Sequence, residues 1–364
     1  MVSTPTLNIQ AIRQAHSIIR ESAYRTPVLV CPGLSRAVNT ALTAHDDEPS
    51  KQAPTEIYLK CENFQRAGSF KFRGAYHFLS KLSDVSLRAG VVSYSTGNHA
   101  IALTLAANSM SKSKSFPIPV TIVMTWTASP AKIDTIRRLG GTVIQHGPTL
   151  VECMQIAEAF RLETGATLLP QGHPWIAMGQ GTVMLEFQEQ MKELGWGGLD
   201  VVVMPSAGGG LLAGTAVVCH DSDSNTKVFG TEPSTGGANL AVARLSGERV
   251  TSIEGTTIAD GLRLTTAACN WEYVKDPAFV QDVFQVHDWQ IRNALACLIE
   301  DLKFVVEPSA AVSLAALLFN EDLQDALRSM NSMNTGRPIR VGLVLTGGNL
   351  SLDALCALLE GGEG

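Results

Sequence analysis

Short runs of aliphatic and β-branched residues recur along this chain, separated by stretches long enough for helices. They lie at residues 57–59, 91–94, 120–124, 201–204, 228–230 and 341–345. These runs are nearly continuous in apolar character, so their strands must be buried on both faces, as in a parallel sheet. The intervening segments 154–164 and 179–194 carry the mixed faces of helices. Strands alternating with helices in this way specify an α/β architecture with mostly parallel sheets. No internal repeat or low-complexity domain interrupts the pattern. Two polar stretches read as surface loops: residues 39–55, containing His45-Asp46-Asp47-Glu48-Pro49, and residues 108–115, rich in Ser and Lys.

Composition narrows the function. A chain of 364 residues with 45% hydrophobic and 17% charged residues can bury a substantial core as one large or two medium domains. Its net charge of -6, with no long basic run, disfavours nucleic-acid binding. The richest apolar stretch, residues 310–319, is too short to span a membrane. Met1-Val2-Ser3-Thr4-Pro5 lacks the charged start and apolar run of a signal peptide. The 7 cysteines are scattered without a Cys-x-x-Cys pair, which argues for reduced thiols in a cytoplasmic protein and against a zinc site or disulfide framework.

Candidate chemistry begins at Gly68-Ser69-Phe70-Lys71-Phe72-Arg73-Gly74-Ala75. Desolvation between aromatic neighbours would lower the Lys71 pKa and free its amine to act as nucleophile or base. A lysine snorkelling from a helix start would read the same way. The turn Ser95-Thr96-Gly97-Asn98-His99 follows a strand and opens a helix over residues 98–108. Its unpaired amides suit an anion or cofactor, and equally an ordinary helix cap.

Residues 201–204 lead into Pro205-Ser206-Ala207-Gly208-Gly209-Gly210, a glycine turn whose amides could converge on a phosphate. The Gly-Lys-Ser/Thr ending of a Walker loop is missing, and a dinucleotide fingerprint would come early in a βαβ unit with an acid on the ribose. A purely structural glycine turn is the alternative. Thr346-Gly347-Gly348-Asn349 closes another strand, where open α/β sheets place ligands, or where a tight turn sits. Glu307-Pro308-Ser309 opens an apolar helix, so Glu307 could be only a first-turn acid.

In their order along the chain, these segments resemble the fold-type II pyridoxal-phosphate enzymes, in the branch of serine/threonine dehydratases and serine racemases. The resemblance also rests on Gly179-Gln180-Gly181-Thr182, Thr231-Glu232-Pro233, Ile258-Ala259-Asp260-Gly261-Leu262 and Glu307-Pro308-Ser309-Ala310, and covers nearly the whole chain. It implies the tryptophan synthase β-like fold: two domains, each with a largely parallel sheet flanked by helices. Residues 1–88 and 168–364 would form the large domain and residues 89–167 a small mobile one. It implies pyridoxal 5'-phosphate as cofactor, linked to Lys71 as a Schiff base, with Lys71 then serving as base at Cα. Phe70 would pack on the ring, Asn98 would bond the ring hydroxyl, and Gly208, Gly209 and Gly210 would hold the phosphate. Glu307 belongs to the same cofactor site, and Thr346 would face the pyridine nitrogen. A neutral hydroxyl there weakens the electron sink and suits elimination. Ser95, Thr96, Gly97 and His99 would line the substrate carboxylate pocket.

The activity so implied is a dehydratase or ammonia-lyase acting on a β-hydroxy L-amino acid such as serine, threonine or 3-hydroxyaspartate. Racemisation and β-replacement are the alternatives. Thr96 stands where racemases carry a catalytic serine; it keeps the hydroxyl, but its methyl restricts χ1. His99 sides with the dehydratases against the synthases. Racemase-like relatives bind a divalent cation through a glutamate and a following aspartate. Here Glu232 is present but the aspartate position reads Ala238, so no tight metal is expected. A homodimer or homotetramer is expected, with a small amino acid as the partner and neither nucleic acid nor membrane.

Overall fold

A computed structural model describes residues 5–44, 54–95, 97–221, 225–303, 305–333 and 337–360. Its strands are β1 (Val28–Val30), β2 (Thr55–Lys60), β3 (Val91–Tyr94), β4 (Val120–Met124), β5 (Thr142–Gln145), β6 (Thr167–Leu168), β7 (Val201–Pro205), β8 (Lys227–Pro233), β9 (Asp282–Val286) and β10 (Ile339–Val344). Among the described residues they form a 6-stranded sheet, ordered β1-β2-β10-β7-β8-β9, and a 4-stranded sheet, ordered β5-β4-β3-β6. Pairing is parallel throughout, save for β1 on the edge of the larger sheet.

Every apolar run of the sequence falls within or against one of these strands, and the burial explains the composition. All residues of β4 and β7 are buried. Along β7, Val201 and Val203 enter one hydrophobic core while Val202 and Met204 enter another on the opposite face. Alternation by face with apolar residues on both is what a covered parallel strand requires. The strands that the pattern does not reveal are short or lie at an edge. β6 has only 2 residues, and β5 has none that is fully buried.

The stretch 108–115 is a correction. It is not a loop: the helix Asn98–Lys114 runs through it and ends at Ser115 in the left-handed conformation, φ 59. Buried Met110 anchors the segment, and Ser111 bonds the carbonyl of Ala107 four residues back, so the serines are carried on a helical face. The helix Pro32–Thr43 likewise enters the other expected loop, where Asn39 bonds both backbone groups of Thr55. Residues 45–53 lie outside the described residues, as does Thr96.

The helix Pro174–Glu193 crosses two others at very short range. A Cβ on Gly179 would lie 2.6 Å from the carbonyl of Arg73 and 2.8 Å from Cα of Gly74, in the helix Lys71–Ser80. A Cβ on Gly214, in the helix Gly210–Asp221, would lie 2.6 Å from Cα of Gly181. Three helices are thus in backbone contact, and the outer two begin at Lys71 and at the glycine turn.

Candidate active site

Lys71 is the first residue of its helix, and the turn before it is held from the side by the end of β10. The Phe70 N–H donates to the Thr346 carbonyl at 3.1 Å, and the Gly348 N–H donates to Gly68 at 3.0 Å. Asn349 Nδ2 adds a bond of 2.8 Å to the Ala67 carbonyl. This clasp fixes a strained turn, since Ala67 has φ 62, a region that residues with a Cβ rarely adopt.

Behind the helix lies a buried ion network. The Arg73 guanidinium pairs with Glu62 through Nε at 2.8 Å and through a terminal nitrogen at 2.7 Å, and it reaches both oxygens of Glu186. Lys60 Nζ completes the set at 2.6 Å from Glu186. Two cations meet two carboxylates with no net charge, and burial of such groups requires that pairing.

The Lys71 amine itself has no hydrogen-bond partner among the described residues. Its nitrogen stands 4.8 Å from the centre of the Phe70 ring, and the side chain is accessible only through the cleft. Burial pushes its pKa down to about 8, while the Glu307 carboxylate partly opposes that shift. A lysine so placed has a substantial neutral fraction near physiological pH.

Glu307, only 4% exposed, accepts from Asn98 Nδ2 at 2.7 and 2.9 Å. Burial raises its pKa to about 7, opposed by the Asn98 bond and reinforced by Asp260. Asn349 in turn donates to Asn98 Oδ1 at 2.8 Å, so Asn98 faces Glu307 with its amide nitrogen and is oriented from behind. His99 is buried and held neutral. Its pKa falls to about 3 through burial and then the nearby Lys71, against a bond with the Leu169 backbone, and its Nε2 has no partner.

At the glycine turn the carbonyls are occupied and the amides are not. Asn270 Nδ2 donates to the Gly208 carbonyl at 2.7 Å, Ala267 N–H donates to the same oxygen, and Thr266 donates to Ala207. No acceptor among the described residues takes the N–H groups of Gly208, Gly209 or Gly210, which open the helix Gly210–Asp221. Gly209 has φ 80, and a Cβ on Gly210 would meet Gln180 Oε1 at 2.4 Å. Side chains are therefore excluded where the amides converge, which is the form of a phosphate cradle. The second turn repeats this in small: Ser95 Oγ accepts from the Gly97 N–H at 3.3 Å, while the N–H groups of Asn98 and His99 at the helix start have no acceptor among the described residues.

One cleft of about 620 Å³ gathers Phe70, Lys71, Ser95, Gly97, Asn98, His99, Gly208, Gly209, Gly210, Glu307 and Thr346. Of the residues expected from sequence, only Thr96 falls outside the described ones. An amine with no partner among the described residues at one end and a cradle of backbone amides at the other fit a phosphorylated aldehyde. Gln180 and Asn349 stand in motifs quoted from the sequence but were given no role of their own, and Asn270 and Lys132 were not singled out. Gln180 between two glycines and Asn349 after two glycines had a visible signal, whereas Asn270 and Lys132 had none. Away from the cleft, both Glu232 oxygens are taken by the amides of Leu240 and Ala241 and by Gln285. Among the described residues no group of three or more potential metal-ligating side chains is found.

The family profile described as "Pyridoxal-phosphate dependent enzyme" matches residues 19–333. A serine racemase of Arabidopsis thaliana is 34% identical over 352 residues, covering 96% of this chain and 95% of the racemase. An L-threo-3-hydroxyaspartate ammonia-lyase of Saccharomyces cerevisiae is 34% identical over 354 residues, covering 97% of this chain and 96% of the lyase. The solved structure of maize serine racemase superposes with a TM-score of 0.83 at 31% identity, over 98% of both chains. The chain belongs to the family of pyridoxal-phosphate-dependent enzymes, of fold type II.

Proposed function

We propose that this pyridoxal-phosphate-dependent enzyme is a lyase that eliminates water from a β-hydroxy L-amino acid to give an enamine, which takes a water back up and yields a 2-oxo acid and ammonia. The observation that carries the reading is the Lys71 amine: lining the cleft, without a hydrogen-bond partner among the described residues, and shifted toward its neutral form at the head of a rigidly held helix. When bound, pyridoxal phosphate withdraws electrons from Cα of the amino acid and so makes its proton removable.

The chain supplies the rest. Gly208, Gly209 and Gly210 hold the phosphate with their free amides, Phe70 packs against the ring, and Thr346 offers a neutral hydroxyl at the ring nitrogen. Asn98, oriented by Asn349 and Glu307, reaches the ring hydroxyl. The amides at the start of the Asn98 helix, with Ser95 and neutral His99, orient the substrate carboxylate. Lys71, which would hold the cofactor in the resting enzyme, takes the Cα proton and can return it to the departing β-hydroxyl, which leaves as water; hydrolysis of the resulting enamine gives the 2-oxo acid and ammonia. By the family resemblance Thr96 stands at the sequence position of the racemases' catalytic serine, which makes racemisation the second reading; relatives named serine racemases favour it.

Lys71→Ala should lose the visible absorbance of the lysine-linked cofactor and all release of 2-oxo acid and ammonia. Retention of both would sink the assignment. Chiral chromatography after incubation with L-serine separates elimination from racemisation.

The 4-stranded sheet draws its strands from residues 91–168, which supports a small unit at 89–167 that moves against a large unit of residues 1–88 and 168–364. The enzyme works in the cytoplasm as a homodimer or homotetramer, an assembly that light scattering checks. Among the described residues no helix is long and apolar enough to cross a membrane, and none of the seven cysteines forms a disulfide.

A further inference from the structure

Resting on the elimination reading above, we propose that Lys132 determines substrate specificity by receiving the side-chain carboxylate of a dicarboxylic β-hydroxy amino acid, the 3-hydroxyaspartate class. Lys132 belongs to the helix Pro130–Arg138 and lines the cleft beside the carboxylate turn: a Cβ built on Gly97 would lie 3.9 Å from its Nζ. The ammonium is only 20% exposed, and its acidic partner is Asp260 Oδ2 at 2.6 Å, on the opposite wall of the cleft. Asp260 is 52% exposed, so a ligand carboxylate can compete for Lys132 without stranding a buried anion.

A second cation stands in the same cleft as Lys132. Arg263 lines the same cleft, and among the described residues its side chain makes no ion pair or hydrogen bond. The exposed acid nearest Lys132 is Asp260, while Glu307, deeper in the cleft, also feels the Lys132 charge. Glu307 is turned away toward Asn98, and Lys71 is committed to the cofactor. The α-carboxylate of any amino acid is already served by the amides of Asn98 and His99. A serine or threonine side chain offers Lys132 no anion, whereas a second carboxylate can replace the exposed Asp260 as its partner. A charge-assisted hydrogen bond of this kind is worth roughly tenfold to a hundredfold in discrimination.

The test compares holoenzyme, Lys132→Met and Asp260→Asn. kcat/KM is measured for L-threo-3-hydroxyaspartate and L-serine, and binding of the unreactive acids succinate and propionate is measured by calorimetry. Lys132→Met should lower the hydroxyaspartate-to-serine ratio tenfold or more and abolish the preference for succinate, while Asp260→Asn keeps both. Retention of the ratio and of the succinate preference in Lys132→Met overturns the proposal. So does an equal loss in Asp260→Asn, which would make the pair a structural tie. A wild-type enzyme inert toward both amino acids would overturn the elimination reading instead, and the succinate titration would still decide the role of Lys132.

Discussion

Two side chains that face the same cleft are shifted in opposite directions by the same burial. Lys71 is pushed down to about 8 and Glu307 up to about 7, so each is drawn toward its neutral form. For Glu307 the folded protein holds a proton that the unfolded chain releases near its ordinary value of 4.5. Its contribution to stability is complete below that ordinary value and is lost as pH rises through about 7. Lys71 acts in the opposite sense and in a higher window: its contribution is complete above its ordinary 10.5 and is lost as pH falls through about 8. In the cofactor-stripped protein, Glu307→Gln should therefore gain stability over wild type as pH is raised from 5 to 8, by a difference on the order of 3 kcal/mol. Urea unfolding at several pH values measures it. A constant difference across that range would show Glu307 to be ionised throughout.

At the scale of elements, the Lys71 helix is tied down by its charged underside. Arg73 faces the buried network, and Arg73→Met would leave Glu62 and Glu186 with only Lys60 between them. The expected loss is about 3–5 kcal/mol, the usual cost of stranding a buried charge, seen as a lower denaturation midpoint. An unchanged midpoint would mean that water reaches these carboxylates. Of this arrangement the sequence shows the helix start and the lysine, because aromatic and small residues flank them locally. It does not show the network, because Glu186 lies 113 residues from Arg73 and each member looks like a surface residue. The glycine turn was legible because three adjacent glycines after an apolar strand constrain the backbone directly. Its backing by Thr266 and Asn270 was not, since polar residues in an irregular segment carry no periodicity. The serines of residues 108–115 misled for the same reason: local composition suggested a loop, and the tertiary anchor at Met110 decided otherwise.

For the molecule as a whole, the contact of three helices through Gly179, Gly181 and Gly214 sets the separation between the Lys71 amine and the glycine turn proposed as the phosphate cradle. Gly214→Ala would place a methyl group 2.6 Å from Gly181 Cα and force the helices apart. Overpacking of this kind costs about 1–3 kcal/mol, and the displaced cradle should weaken cofactor affinity about tenfold. Spectrophotometric titration of the apoenzyme measures that affinity, and an unchanged value would show that the turn moves independently of its helix. The same contact has an evolutionary corollary. Lysine, glutamine and cradle ride on one inflexible block, while the Ser95–His99 turn and Lys132 hang from the other sheet. Variation in residues 91–168 can therefore retune what the enzyme accepts without disturbing how it is loaded. A mutant library confined to that segment should yield altered substrate ranges among clones that still carry the cofactor's colour, whereas one confined to the helix crossing should yield mostly colourless protein.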